Sequence, residues 1–269
     1  IIFINLILVN VIPYKFITVD ITSHWLTKTL NRIQKKNALN PTMITEIQNI
    51  LDSNKENDNI RTVLINSSSS VFCAGADLEY LNEIRQFSYK ENLTDSQILM
   101  SLFQTMLSYP KLIISKVCGA ALGGGCGIVT ASDIIFATKE AHFGYPEVKI
   151  GFTPALVSSF LIEKINLSNV RELFLTGKII DANQAKDISL INFICSTNNI
   201  DEEINIFIQK FITKTSPQSI QTTKQLLYEQ THMKAKLEEA AKFNAKSRMN
   251  SDFKKGIRMF LAKKTINWN

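Results

Sequence analysis

The glycine-rich segment Lys111–Gly127 constrains this chain more than any other part of its sequence. Five of the ten glycines in the 269 residues fall within it. The apolar run Leu112–Val117 before them predicts a buried strand, and the small apolar residues after them predict the start of a packed helix. A glycine turn between a strand and a helix lets a ligand approach the backbone and leaves N–H groups free to bind it. The segment therefore indicates a site that favours negative charge.

Three interpretations of this turn are open from its own residues. Phosphate binding is disfavoured, because the spacing matches neither GxxxxGK[ST] nor the GxGxxG dinucleotide motif. A second interpretation is an oxyanion pocket for a carbonyl that becomes an enolate. A third is a tight turn whose small residues serve packing alone. A second small-residue turn at Val71–Leu78, VFCAGADL, and the downstream acid Glu147 favour the oxyanion pocket.

Short strands alternate with helices through the first two thirds of the chain, which predicts an α/β fold. The polar segment Gln86–Asp95 predicts a mobile loop, and His142–Gly151 predicts a loop that carries Glu147. From Ile200 onwards the pattern is helical, and it indicates an appended packing or association element with breaks near Pro217 and Ser251. Strands are predicted at residues 16–21, 25–30, 62–65, 112–117, 133–137 and 190–195, and helices at 43–51, 78–84, 97–109, 157–165, 170–175 and 182–186.

The composition describes a globular protein, with 45% hydrophobic and 20% charged residues. The net charge of +6 suits nucleic acid, a membrane surface or a polyanionic small molecule, and it equally fits an AT-rich genome. The apolar run at residues 1–12 lacks a basic flank and a cleavage site, and it is too short to span a bilayer. We expect residues 1–13 to be an extension of uncertain status, and the protein to be cytoplasmic with no membrane partner.

The four cysteines, Cys73, Cys118, Cys126 and Cys195, show no CxxC pairing. We interpret them as buried free thiols in a reducing compartment. No ligand cluster has metal-site spacing, so we expect neither a metal nor a tightly held redox cofactor.

Five ordered segments resemble the enoyl-CoA hydratase/isomerase (crotonase) superfamily, and the resemblance covers about Tyr14 to Trp268. It implies a crotonase-like spiral of ββα units at 14–199 and a helical C-terminal trimerisation region at 200–269, in homotrimers or homohexamers. It also implies an acyl-CoA thioester as substrate, with coenzyme A entering only as part of that substrate. The segments are TLNRIQKKNALN (29–40), VFCAGADL (71–78), GAALGGGCG (119–127), SDIIFATKEAHFGYPEVKIGFTPA (132–155) and LTGKIIDANQAKDISLIN (175–192), with the ending SDFKKGIRMFLAKKTINW (251–268).

The resemblance also implies the site residues. The backbone N–H groups of Ala76 and Gly124 match the two donors that hold the thioester oxygen, and Glu147 matches the acid/base. Phe260 and Lys263 match positions that reach the coenzyme A of a neighbouring subunit. The full set implied to contact substrate and coenzyme A is Lys36, Ala38, Ala74, Ala76, Asp77, Leu78, Gly124, Phe260 and Lys263.

One departure from the family pattern concerns Gly127, which stands where the hydratases carry a first glutamate. Hydration needs a base near the water and a proton source near the α-carbon, and here Glu147 would serve both. The segment around Glu147 is similar to bacterial methylglutaconyl-CoA hydratases of leucine degradation. We hypothesise that Gly127 frees space for a carboxylate on such a substrate.

Other interpretations remain open beside the hydratase. A single acid also fits an enoyl-CoA delta-isomerase, and the loss of the first glutamate fits a non-catalytic acyl-CoA binder. RNA binding is disfavoured, because no basic–aromatic interleaving is present. Among single residues, Asp77 is better explained as a helix N-cap than as an acid, and His142 as a turn residue. Glu147 has two structural alternatives, as a helix cap or as the partner of Lys149.

Overall fold

The computed structural model describes residues 14–22 and 24–268, so the expected extension at 1–13 lies outside the described residues. Regular structure occupies most of the described chain. The strands are β1 Ile17–Thr22, β2 Trp25–Leu30, β3 Thr62–Ser67, β4 Val71–Cys73, β5 Leu112–Val117, β6 Ala120–Leu122, β7 Ile134–Thr138, β8 His142–Gly144, β9 Ile179–Asp181 and β10 Phe193–Cys195. The α-helices are α1 Pro41–Asn54, α2 Leu78–Ile84, α3 Tyr89–Leu107, α4 Gly124–Thr130, α5 Ala155–Lys164, α6 Leu167–Thr176, α7 Ala182–Asp187, α8 Ile200–Lys214, α9 Pro217–Gln230, α10 Met233–Ser247 and α11 Ser251–Leu261.

Strands β3 to β8 come in successive pairs, and the two strands of each pair lie in different sheets. The first members, β3, β5 and β7, lie in a six-stranded sheet of order β1-β2-β3-β5-β7-β10. The second members, β4, β6 and β8, lie in a four-stranded sheet of order β4-β6-β8-β9. Each pair is followed by a helical segment, so the chain advances by one ββα unit at a time. The predicted α/β fold with a spiral of ββα units is confirmed.

The larger sheet is covered on both faces, as its apolar strands require. On one face, α1 contributes buried side chains such as Met43 and Ile47 to the main core. On the other face, Ile204 and Ile208 of α8 pack on Ile114 and neighbouring side chains of the sheet. The helical C-terminal region is therefore present and packed on the core, while its role in trimerisation stays a prediction.

The smaller sheet places three turns side by side. Strands β4, β6 and β8 run parallel, with Cys73 opposite Ala121 and Leu122 opposite Gly144. Because the carboxyl ends of parallel strands meet at one edge of a sheet, the residues that follow these three strands are neighbours in space. Those residues are the two small-residue turns and the segment that carries Glu147.

Two sequence predictions need correction. The segment Gln86–Asp95 is not a mobile loop, because α3 begins at Tyr89 after a capping box between Ser88 and Glu91. The segment His142–Gly151 is not a simple loop, because it contains β8 and a 3-10 turn at Pro146–Ile150.

The C-terminal helices begin again at the predicted breaks, Pro217 and Ser251, but the helical pattern ends at Leu261 and an unpredicted break falls at His232. Across the part of the chain that the structure describes, no helix is both long and apolar enough to cross a membrane.

We expect the substitution Gly125→Ala to destabilise the fold by about 1–3 kcal/mol, the usual cost of overpacking. A Cβ added at Gly125 would lie 2.5 Å from the Cβ and 2.6 Å from the Sγ of Cys73, so α4 or β4 would have to move. The matched control is Gly124→Ala, whose added Cβ meets only Leu39 Cδ1, at 3.2 Å. Denaturant unfolding should separate the two variants, and equal midpoints would contradict this packing argument.

Candidate active site

The first turn, which follows β4, is held by contacts from both sides. Leu39 N–H donates to Gly75 O at 2.7 Å, and Asp77 N–H donates to Leu39 O at 2.8 Å. Gly75 has φ +92°, a conformation that residues with a side chain rarely adopt. The backbone groups on either side of Ala76 are thus hydrogen-bonded, whereas the N–H of Ala76 itself donates no hydrogen bond within the described chain.

Asp77 fixes the end of this turn to α2. Its carboxylate accepts hydrogen bonds from the N–H groups of Glu79 and Tyr80, as predicted for an N-cap, and forms an ion contact with Arg32 at 2.5 Å. Burial alone would raise the pKa of Asp77, but the Tyr80 N–H and the Arg32 guanidinium lower it below its ordinary value. This side chain is occupied by structural contacts.

The second turn, which follows β6, begins α4. Gly123 N–H donates to Gly144 O at 2.9 Å, and Gly123 has φ +52° with ψ −127°, which only glycine adopts readily. Gly124 is the first residue of α4, so its N–H cannot bond within the helix. No other acceptor for it is present among the described residues.

The two turns and the Glu147 side chain lie in close contact. A Cβ added at Gly123 would lie 3.2 Å from Glu147 Oε1 and 3.8 Å from Gly75 Cα. A Cβ added at Gly75 would lie 3.1 Å from Leu122 O. Any side chain in this region would occupy the space between the turns, so glycine keeps it open for a ligand.

Glu147 is the buried carboxyl of the site. It lies in the first turn of the 3-10 segment Pro146–Ile150 and is 8% exposed. Its Oε2 is buried and has no hydrogen-bond partner, and no ion pair joins it to Lys149 or any other cation of the described chain. Burial raises the pKa of Glu147 to about 7, the direction expected for a general base in an apolar pocket. The structural alternative of a pair with Lys149 is therefore wrong.

These groups line one cavity of about 300 Å³. Six of the ten predicted site residues line it, and the cavity continues between α2, α3, α5, α10 and α11. The predicted residues on its wall are Ala74, Ala76, Leu78, Gly124, Glu147 and Phe260.

The remaining predicted residues, Lys36, Ala38, Asp77 and Lys263, do not line this cavity. Lys36 is exposed, and its O accepts a 3.0 Å bond from Ala74 N–H beside the first turn. Ala38 is buried, and its O accepts a bond from Arg32 at 2.8 Å. Lys263 is exposed just beyond α11. Phe260 lines the cavity of its own chain, whereas the sequence predicted a reach towards a neighbouring subunit.

The hypothesis that Gly127 frees space for a substrate carboxylate is wrong. A Cβ added there would lie 2.7 Å from Phe103 Cζ and 2.9 Å from Val157 Cγ2. Phe103 is fully buried, and Gly127 does not line the cavity. Apolar packing therefore fills the position where the family hydratases carry their first glutamate.

The other singled-out residues have structural surroundings. Cys73 and Cys126 are buried free thiols whose pKa burial raises to about 12 in each case, so they stay protonated. His142 is exposed, with Nδ1 2.9 Å from Glu140 O, as a turn histidine would be. Within residues 14–22 and 24–268, no three His, Cys, Asp or Glu side chains are grouped as metal ligands.

A polar part of the cavity wall was missed by the sequence analysis. It consists of Tyr80, Asp95, Asn244 and Arg248, which α2, α3 and the end of α10 contribute. The Ser88–Glu91 capping box would have placed Asp95 on a helix, but no sequence signal connects it with Arg248, 153 residues away.

Comparisons with known proteins agree with this fold and identify its family. The family model described as enoyl-CoA hydratase/isomerase matches residues 24–269. A Thermus thermophilus protein named "Putative enoyl-CoA hydratase" is 35% identical over 239 residues, which are 87% of this chain and 93% of the relative. The 2,3-dehydroadipyl-CoA hydratase of Escherichia coli is 28% identical over 89% of this chain and 93% of its own length.

A solved structure shows the same architecture. The crystal structure of an enoyl-CoA hydratase from Shewanella pealeana superposes with a TM-score of 0.78 at 27% identity, over 95% of this chain and 96% of that one. The chain belongs to the enoyl-CoA hydratase/isomerase family, and its fold is that of the crotonase superfamily.

We expect the substitution Glu147→Gln to stabilise the fold at high pH and to leave it unchanged at low pH. The ordinary pKa of the carboxyl is 4.5 and the folded value is about 7, so the folded state binds the proton more tightly. Raising the pH through this window therefore costs the wild type stability, up to about 3 kcal/mol above pH 7. The neutral amide has no such cost.

Denaturant unfolding at pH 4 and pH 8 measures this difference. The variant should exceed the wild type at pH 8 by about 2–3 kcal/mol and match it near pH 4. Glu202→Gln, at an exposed position in the first turn of α8, is the matched control and should not exceed the wild type in stability at pH 8. A gap of the same size at both pH values would contradict the elevated pKa.

Proposed function

We propose that this protein is a hydratase of α,β-unsaturated acyl-CoA thioesters. One observation carries the proposal: the buried carboxyl of Glu147, whose Oε2 has no hydrogen-bond partner, lies in one cavity with the two turns whose Ala76 and Gly124 N–H groups are free. The names of two relatives, an enoyl-CoA hydratase and a 2,3-dehydroadipyl-CoA hydratase, support the same reaction class.

In the proposed reaction, the thioester oxygen accepts hydrogen bonds from Ala76 and Gly124. The Glu147 carboxylate takes a proton from water as the water oxygen forms its bond to the β-carbon. The electron pair of the double bond moves towards the thioester, and the two N–H groups stabilise the enolate charge in a dry site. Glu147 then returns its proton to the α-carbon, which completes the addition of one water molecule.

The pKa of Glu147 suits both halves of this sequence. A group with pKa about 7 is a base in one step and an acid in the next at neutral pH, with little cost in either direction. Proton return by the same carboxyl requires addition to one face of the double bond.

A second candidate is an enoyl-CoA isomerase, which the packing at Gly127 favours. Since Phe103 and Val157 exclude a second carboxyl there, the wall holds the single acid that proton transfer between the α- and γ-carbons requires. The product separates the two candidates, because isomerisation consumes no water. The similarity to methylglutaconyl-CoA hydratases stays a prediction about the acyl group.

We expect Glu147→Gln to lower kcat/KM for hydration by about 10²–10⁴-fold, the typical contribution of a positioned acid/base. In the wild type, kcat/KM should fall about tenfold for each pH unit below 7, since the carboxylate is the reactive form. The assay follows loss of the enoyl absorbance of crotonyl-CoA and 3-methylglutaconyl-CoA, with 3-hexenoyl-CoA as the isomerase substrate.

The control is again Glu202→Gln, which should retain full activity. Full activity in Glu147→Gln would refute the assignment of the acid/base. Turnover of 3-hexenoyl-CoA without hydration of either α,β-unsaturated substrate would favour the isomerase.

A further inference from the structure

We propose that the acyl end of this cavity takes a chain that ends in a carboxylate, and that Arg248 is the residue that selects it. This inference rests on the proposed function for the position of the thioester, and it adds a substrate class to that function.

Arg248 is buried on the cavity wall. It is 5% exposed and follows directly after α10. Its Nη1 donates to Asp95 and makes a longer bond of 3.4 Å to Asn92 Oδ1, while its Nε is buried with no acceptor among the described residues. Nε is enclosed by protein, so the donor that a ligand in the cavity could reach is Nη2, which makes no hydrogen bond among the described residues.

The connection to Glu147 runs through Phe152. The backbone N–H of Phe152 donates to Glu147 O at 2.9 Å, and the Phe152 ring lies 5.3 Å from the Arg248 guanidinium. Both residues line the cavity. Arg248 and Glu147, the carboxyl that would act on the double bond, thus line the same cavity and both contact Phe152.

The carboxylate of Asp95 is already hydrogen-bonded and does not accept from the remaining N–H donors of Arg248. Tyr80 OH donates to Asp95 Oδ1, and Nη1 of Arg248 takes Oδ2, so both oxygens of the carboxylate are engaged. Asn244 Nδ2 donates to Ser96 Oγ at 3.0 Å and packs beside the pair. The Asp95–Arg248 pair is therefore fixed in place, and the guanidinium cannot turn its Nη2 towards another protein acceptor.

The free-energy cost of removing water from the Arg248 guanidinium determines which acyl chain binds best against this wall. A hydrocarbon chain that displaced water here would cover a charged group whose donors are not all used, at a cost typical of unsatisfied buried donors. A terminal carboxylate would supply acceptors in the planar arrangement that guanidinium groups bind best. A chain that ends in a carboxylate therefore gains binding free energy at this wall, whereas an apolar chain of equal length loses it.

Calorimetric binding of saturated acyl-CoA pairs tests the inference without requiring turnover. The probes are adipoyl-CoA and hexanoyl-CoA, both with six acyl carbons, and glutaryl-CoA and pentanoyl-CoA, both with five. The wild type should bind the carboxylated member of at least one pair about tenfold or more tightly. Equal Kd values within both pairs, or no binding of any probe, would overturn the inference.

The variant Arg248→Met should remove that preference by weakening the carboxylated ligand about 10–100-fold and the apolar ligand less than threefold. Arg171→Met, at an exposed position on α6, is the matched control and should keep the preference. Because Arg248→Met leaves Asp95 buried and unpaired, the double variant Asp95→Asn/Arg248→Met carries the test if the single variant does not fold.

The two proposals fail separately. Equal affinity within each pair, together with hydration of crotonyl-CoA, would contradict the role of Arg248 and support the proposed hydratase activity. An arginine-dependent carboxylate preference in a protein that hydrates no enoyl-CoA would do the reverse. A preference that survives in both Arg248 variants would also overturn the inference.

Discussion

The parallel register of three short strands is the constraint on which the site depends. Each of β4, β6 and β8 has only three residues, yet their pairing brings the ends at Cys73, Leu122 and Gly144 to one edge. The chain that follows each strand then contributes one part of the site, a free N–H from each of two turns and the carboxyl of Glu147. A slip of one residue in either pairing would turn side chains to the opposite face and separate these parts.

The glycines make this convergence possible because they remove the atoms that would hold the turns apart. Gly123 adopts a backbone conformation closed to most residues, and the start of α4 packs directly on β4. The same closeness buries Glu147, and its raised pKa is the electrostatic consequence of that burial. Stability and reactivity therefore pull in opposite directions at this residue, because the buried carboxylate that could accept a proton is the form the fold tolerates least.

Local signals predicted much of this architecture from the sequence. Asp77 predicted the start of α2 as an N-cap, and the helix predicted at 43–51 lies within α1, whose N-cap Asn40 accepts a bond from Met43 N–H. The glycine turn after an apolar strand predicted a strand, a turn and a helix that the structure contains. The start of α3 was not predicted, because the polar composition of Gln86–Asp95 is also typical of a loop. The capping box in this segment is nevertheless a sequence signal for the start of a helix.

Features that depend on distant residues could not be predicted in this way. The surroundings of Gly127 are set by Phe103 and Val157, which approach from two different helices. The contact of Arg248 with Asp95 joins the end of α10 to the middle of α3. Burial of a polar group and the identity of its partner arise from tertiary packing, which no local pattern encodes.

Infrared difference spectroscopy of a bound, saturated acyl-CoA with a ¹³C-labelled thioester carbonyl tests the central claim most directly. Two N–H groups that converge on this oxygen should polarise the carbonyl and shift its stretch to lower frequency on binding. The band should also sharpen, because one geometry replaces the many of free solution. A carbonyl band unchanged from that of the free thioester in water would contradict the account.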